Sequence, residues 1–148
     1  MKSLHLAGEA DADRLLPLVA AFHTEMGYGT DSDHRAAAIS PLLQGSPHGA
    51  AWLIGPRRAP VGYIVLTFGW SVEFGGLDAI VDELYVRPAV RGRGMGLEAL
   101  DGIAKAMREA GVRALHLEVD REDERAQRFY GRARFKPRDR YIFMSRVL

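Results

Sequence analysis

The sequence predicts an α/β protein of the α+β type, with a mixed, mostly antiparallel central sheet of about six to seven strands flanked by helices. Three observations carry this reading. Near the start, "DADRLLPLVAAFHTEMG" and "DSDHRAAAISPLLQGSP" combine helical apolar spacing with helix stop signals. Next, "AAWLIG", "APVGYIVLTFGWSVEF" and "LDAIVDELYV" are rich in aliphatic, β-branched and aromatic residues. Turn sequences, "PRR" and "GG", separate them, which is the pattern of an antiparallel meander. A strand, a glycine-rich loop, a helix and another strand follow, making the sheet mixed and placing helices on its faces.

Taken in order, "SLHL" is a short alternating strand. In the first helix Asp11 is the expected N-cap, Leu15, Leu18, Val19 and Phe22 share the inner face, and Gly27 marks the end. The second helix has Asp31 or Ser32 as its cap, Pro41 disturbing its middle, and Gly45 and Pro47 stopping it. After the meander, "GLEALDGIAKAMREAG" places Leu97, Leu100, Ile103, Ala104 and Met107 on one helical face, with Gly111 as the stop. "VRALHLEV" reads as a strand, and "DERAQRFYGRA" as a helix with Ala126, Phe129 and Tyr130 on its inner stripe. The final "YIFMSRVL" reads as a strand whose exposed edge would pair across a homodimer.

A chain of 148 residues, 47% hydrophobic, is the size of one domain with one core, so residues 1–148 are expected to form a single unit. The absence of cysteine excludes disulfides, thiolate metal sites and a cysteine nucleophile. The five histidines form no metal-ligand pattern, so no metal is expected, and His116 reads as a packed strand residue. Nothing approaches the roughly 20 apolar residues of a membrane span, which points to a soluble cytoplasmic protein with no membrane partner. A net charge of +1 argues against general nucleic-acid binding. The distribution is uneven, with 5 Lys/Arg against 10 Asp/Glu in residues 1–86 and 9 against 5 in residues 120–148. An acidic front and a basic back suit a cationic substrate and an anionic cofactor, or form solvated surface. In "GWSVE" Glu73 stands where a serine-hydrolase nucleophile elbow needs its second glycine, which removes that class.

The segment "RPAVRGRGMG", Arg87 to Gly96, lies between the strand "VDELYV" and the next helix. Helix starts leave backbone N–H groups without partners and carry partial positive charge, so they attract phosphate. Gly92, Gly94 and Gly96 remove side chains that would hold an anion away, while Arg91 and Arg93 add charge at the rim. A dinucleotide fingerprint would need glycine where Leu97 stands, and a P-loop would need Gly-Lys-Ser/Thr. An arginine–glycine RNA-binding tract would be longer and disordered.

What fits is Arg/Gln-x-x-Gly-x-Gly/Ala, met by Arg91, Gly94 and Gly96, and with its flanks it resembles the pyrophosphate loop of the GCN5-related N-acetyltransferases. "EVDREDERAQRFYGRARF" is similar to that family's second signature, Asn-x-x-Ala-x-x-Phe-Tyr followed by Gly-Phe, through Ala126, Phe129, Tyr130 and Phe135. Two positions depart: Asp123 stands for the asparagine, and Arg134 for the glycine before phenylalanine.

The resemblance implies the acyl-CoA N-acyltransferase fold and transfer of an acetyl group from acetyl-CoA to a primary amine by direct attack in a ternary complex. A non-catalytic acyl-CoA sensor or interaction domain is the alternative. It further implies that backbone groups of Leu84, Tyr85 and Val86 pair with pantetheine, and that Arg91, Gly92, Arg93, Gly94, Met95, Gly96 and Leu97 form the pyrophosphate cradle. Asp123, Ala126 and Tyr130 line the cofactor from the second signature. A base must deprotonate the incoming ammonium. "VDEL" offers Asp82 and Glu83, which regular alternation points to opposite faces; Glu83 is preferred, because Asp82 shares a face with the core-like Leu84 and Val86. Alternatively, the pair makes a surface salt bridge and caps a turn. Tyr130 is the implied acid for the leaving thiolate, or a core tyrosine with a solvated hydroxyl. Tyr28, Trp70, Glu73 and Phe74 are candidates for binding a cationic acceptor, a small molecule or a protein amine.

Overall fold

In the computed structural model, which describes residues 3–148, the apolar runs of the meander lie side by side as one sheet. Strands β1 (Leu4–Leu6), β2 (Gly49–Ile54), β3 (Gly62–Ser71) and β4 (Gly76–Val86) pair antiparallel in chain order, and β5 (Ala114–His116) adds to β4 in parallel. Helices α1 (Ala12–Met26) and α2 (Ser32–Leu43) fall between β1 and β2, and α3 (Met95–Glu109) between β4 and β5. All of these belong to a compact unit ending at Glu118; a second, Val119–Leu148, contains α4 (Glu124–Arg132).

Alternation along the strands builds two apolar faces. One holds Ala51, Leu53, Tyr63, Val65 and Tyr85 against Leu15, Leu18, Val19 and Phe22 of α1 and Ile39 and Leu43 of α2. Residues of the opposite parity, Ile54, Ile64, Leu66 and Val81, are buried on the other face, which α3 covers with Leu100, Ile103 and Met107. Close strand packing makes Gly62 obligatory, since a Cβ there would lie 2.1 Å from the Tyr85 carbonyl oxygen.

One irregularity positions the site. Val65 pairs with Glu83 but the next residue, Leu66, pairs with Val81, so Asp82 is an extra residue bulged out of β4. Glu83 therefore shares the α1 face with Val65, whereas uninterrupted alternation would have placed it with Val81 beneath α3. The premise that Asp82 and Glu83 alternate regularly does not hold across the bulge; the parity of Val81, not Asp82, is shared by Leu84 and Val86.

Several expectations need correction. The sheet has five strands, not six or seven. "VRALHLEV" contributes three residues to it, and residues 141–148 form no strand: Ile142, Phe143, Met144 and Val147 lie exposed. Strand propensity reflects how well a side chain fits a half-buried pleated surface, and the second unit offers no strand to pair with among the described residues. The edge expected to pair across a homodimer is thus not formed there. Pro41 sits in the last turn of α2, not its middle, and its carbonyl accepts from Gln44 and Ser46. In α3 the buried face includes Ala99 while Ala104 is exposed, because four-residue spacing from Ile103 leads back to Ala99.

Asp11 does not cap α1 through its side chain. Only 1% exposed, its carboxylate accepts from Gly8 N–H at 2.9 Å, Arg14 Nη2 at 2.5 Å and Arg57 Nη1 at 2.9 Å. Burial alone would raise its pKa; the Gly8 and Arg14 hydrogen bonds and the two arginine charges outweigh it, and the net shift is downward.

Candidate active site

Beyond Ile80 the parallel pairing of β4 with β5 ends, yet β4 continues to Val86. From Val81 onward the β5-side edge of β4 has no strand partner among the described residues, and Leu84, Tyr85 and Val86 lie on this stretch. The chain then passes through a 3-10 turn at Pro88–Val90 into the glycine loop. Gly92 and Gly94 take φ of +80° and +79°, and Gly94 caps α3, its carbonyl accepting from Glu98 N–H. Left-handed backbone at Gly94 brings Met95, Gly96 and Leu97 into the first turn of α3, where N–H groups have no intrahelical acceptor.

Arg91 is not simply a rim charge. Its Nε donates to the Val86 carbonyl at 2.8 Å, its Nη2 donates to the Glu25 carboxylate at 2.7 and 3.0 Å, and its guanidinium lies 5.6 Å over the Tyr85 ring. The side chain ties the loop to the last turn of α1. Arg93 lies exposed in the loop.

At the bulge the two neighbouring carboxylates differ. Both oxygens of Glu83 are engaged: Oε1 accepts from the Tyr63 hydroxyl at 2.7 Å and Oε2 pairs with His23 Nε2 at 2.7 Å. The other His23 nitrogen, Nδ1, is 2.7 Å from Thr30 Oγ1. Tyr63 is fully buried, and burial, then the charge and hydrogen bond of Glu83, push its pKa far up, so it remains a donor. Asp82 is exposed as a residue, yet desolvation of its carboxyl raises its pKa, partly opposed by His23. Tyr28, half exposed, packs edge-on to His23 at 5.1 Å, and its pKa is raised by partial burial and by Glu83, Asp82 and Glu118. Three carboxylates, an imidazole and two phenols thus gather where the sheet opens.

The other acceptor candidates lie elsewhere. Trp70, Glu73 and Phe74 sit at the β3–β4 hairpin end, and at ~3.3 Å per strand residue Leu77 is about 20 Å from Glu83 along β4. Phe74 packs on the His116 ring at 5.3 Å, and His116 Nε2 is 3.2 Å from Asp78. The structure brings Tyr28, Asp82 and Glu83 together and leaves the hairpin residues apart.

Within the second unit, Asp123 caps α4, accepting from Ala126 N–H at 2.9 Å. Tyr130 is half-buried against Phe135, with ring centroids 6.0 Å apart, and burial, then Asp123, raises its pKa. Arg134, where glycine was expected, takes φ +70° and so adopts the left-handed backbone glycine would supply.

Sequence reasoning passed over His23, Thr30 and Tyr63. A signal existed for the first: His23 follows Val19 by four residues and extends the apolar stripe of α1, a polar group on a core-facing helix face. Among the described residues, no group of three or more His, Asp or Glu side chains could hold a metal ion, and no helix is long and apolar enough to cross a membrane.

A sheet opened beside a helix that starts at a glycine cradle, with carboxylates at the fork, defines a class of acyl-transferring enzymes. The profile of the acetyltransferase (GNAT) family matches residues 16–135, and the chain belongs to that family; it is an acetyltransferase. Among solved structures, an integron cassette protein from the mobile metagenome of Cole Harbour Salt Marsh is 34% identical, with a TM-score of 0.86, over 99% of this chain and 91% of its own. A protein designated an acetyltransferase, from Arthrobacter sp. FB24, is also 34% identical, with a TM-score of 0.81, over 100% of this chain and 97% of its own. A ribosomal-protein-alanine N-acetyltransferase from Brucella melitensis biovar Abortus 2308 shares the fold at 22% identity, with a TM-score of 0.74 over 99% of each chain. A comparison with curated proteins finds no match.

Proposed function

We propose that this acetyltransferase moves an acetyl group from acetyl-CoA to a primary amine, either a small cationic amine or a protein lysine or N-terminus, by direct attack in a ternary complex. Acetyl-CoA supplies an acetyl group activated as a thioester. Its fit to this chain rests on two observations: the backbone edge of β4 at Leu84–Val86, which has no strand partner on the β5 side among the described residues and suits an amide-bearing arm, and the left-handed Gly92 and Gly94 before the α3 N-terminus, suited to a pyrophosphate.

The carboxylate cluster at the bulge carries the reading. Asp82, Glu83 and Glu118, with the Tyr28 ring, suit a positively charged nitrogen. Glu83 takes a proton from the incoming ammonium, and Asp82 stands beside it as the second candidate, favoured by its raised pKa. Tyr130 keeps its hydroxyl proton, and this reading assigns that proton to the departing thiolate. Asp123 and Ala126 frame the start of its helix.

The test is a panel of polyamines, aminoglycosides and lysine- or N-terminal-amine peptides with acetyl-CoA, read by release of free thiol. Excess acetyl-CoA should first raise the melting temperature. No shift sinks the proposal; a shift with no thiol from any amine supports the sensor instead. Glu83→Gln should lower turnover chiefly at low pH, where neutral amine is scarce, and unchanged activity would move the base to Asp82.

A further inference from the structure

Away from the cluster just described, a groove of about 400 Å³ has Arg14, Arg58 and Arg87 on its walls; Asp13 joins them there and Arg14 is already committed to Asp11. The hydrogen-bonded chain behind Glu83 carries more. His23 stands between two groups with opposite demands: a carboxylate that only accepts while ionised, and a hydroxyl that can donate or accept. We propose that His23 is the positioning residue of the acid–base centre, holding the Glu83 carboxylate through Nε2–H and adding its own protonation state to that of Glu83.

This rests on Glu83 being the base. Of the two groups bonded to Glu83, Tyr63 stays protonated across the working range, so its bond to Oε1 does not change with pH. The bond to Oε2 comes from the one partner able to exist as a neutral or a cationic donor. In neutral His23 the Thr30 hydroxyl donates to Nδ1; in the cation Nδ1–H donates to Thr30 Oγ1. Neither state breaks a hydrogen bond. Arg35 Nη1 donates to the Thr30 carbonyl and reaches its Oγ1 at 3.4 Å, fixing the hydroxyl on the far side of the ring. The groups facing the ring are Phe22 from its own helix, Tyr28 and Thr30 from the α1–α2 connection, with Arg35 of α2 behind Thr30, and Asp82 and Glu83 from β4; Tyr63 of β3 reaches it through Glu83, and the charge of Glu118 acts on the neighbouring Tyr28.

The proton balance is simple. An ammonium N–H bond breaks, its electron pair stays on nitrogen, and the proton goes to a Glu83 oxygen while the Nε2–H bond persists and Glu83 keeps its orientation. His23→Gln keeps an N–H donor but cannot titrate. It should lower kcat about tenfold with acetyl-CoA KM within about twofold, and the acid limb of its kcat/KM profile should lose the imidazole ionisation. A readout free of turnover is the ¹⁵N and ¹H NMR spectrum of the His23 ring in the free protein, assigned by its loss in His23→Gln. Its neutral form should be the Nε2–H tautomer, and the Nε2–H proton resonance should move upfield in Glu83→Gln, where the charged acceptor is lost. A His23→Gln profile matching wild type at every pH, or an Nε2–H resonance indifferent to Glu83→Gln, overturns the inference alone. Full turnover in Glu83→Gln overturns the base assignment and this inference together.

Discussion

Replacing Asp11 with asparagine changes one charge in a buried site and leaves the side-chain shape intact. Arg14 and Arg57 keep 34% and 46% of their side chains exposed, so each ion pair counts near the surface value of about 0.5–1 kcal/mol and not the full buried value. The new amide also brings N–H donors into a site already crowded with donors, at about 1 kcal/mol. Together the loss is roughly 2–3 kcal/mol, or about 5–10 °C in melting temperature for a chain of this length. The pH dependence follows from the downward pKa shift. Stability from Asp11 is fully present above the unfolded pKa of about 3.9 and disappears as pH falls through the lower folded value. Urea denaturation of both proteins at about pH 7, 5 and 3 should show a constant gap at the upper two and a narrowed one at the lowest. A gap below about 1 kcal/mol at pH 7, or one that shrinks already at pH 5, would refute this account.

Other substitutions test separate parts of the chain. Arg134→Gly should stabilise the protein by about 1 kcal/mol, because glycine adopts the left-handed backbone without the Cβ penalty; a lower melting temperature contradicts it. Gly62→Ala forces a methyl into the Tyr85 carbonyl and should cost about 2–4 kcal/mol, measurable by the same urea melts. Tyr130→Phe should lower the maximal rate at least tenfold with little change in acetyl-CoA KM, and normal turnover would return Tyr130 to a packing role.

Local features were the readable ones. The inner stripe of α1, Leu15, Leu18, Val19 and Phe22, is buried as its spacing requires, and Gly27 ends the helix at φ +71°, both set by residues a few positions apart. The glycine loop and the second signature identified the family because order and spacing survive without any knowledge of contacts. Hidden features depend on partners distant in sequence. Asp11 looks like a helix cap until Arg57, 46 residues away, reaches its carboxylate. The Glu83–His23 bond spans 60 residues. Nothing in "VDEL" announces a bulge, since an extra residue exists only relative to the strand it is paired with. "YIFMSRVL" shows the converse, strand-like composition without a ladder.

The side of the sheet on which Glu83 stands is set by its pairing opposite Val65, and the bulge keeps that pairing although Asp82 adds a residue to β4. Substituting Asp82 alters charge at the fork and leaves the bulge, whereas deleting it would make Val81 and Glu83 neighbours in plain alternation, with Glu83 still opposite Val65 and still facing His23 and Tyr63. In inheritance, loss of that single codon would remove a carboxylate from the fork without turning Glu83 to the other layer.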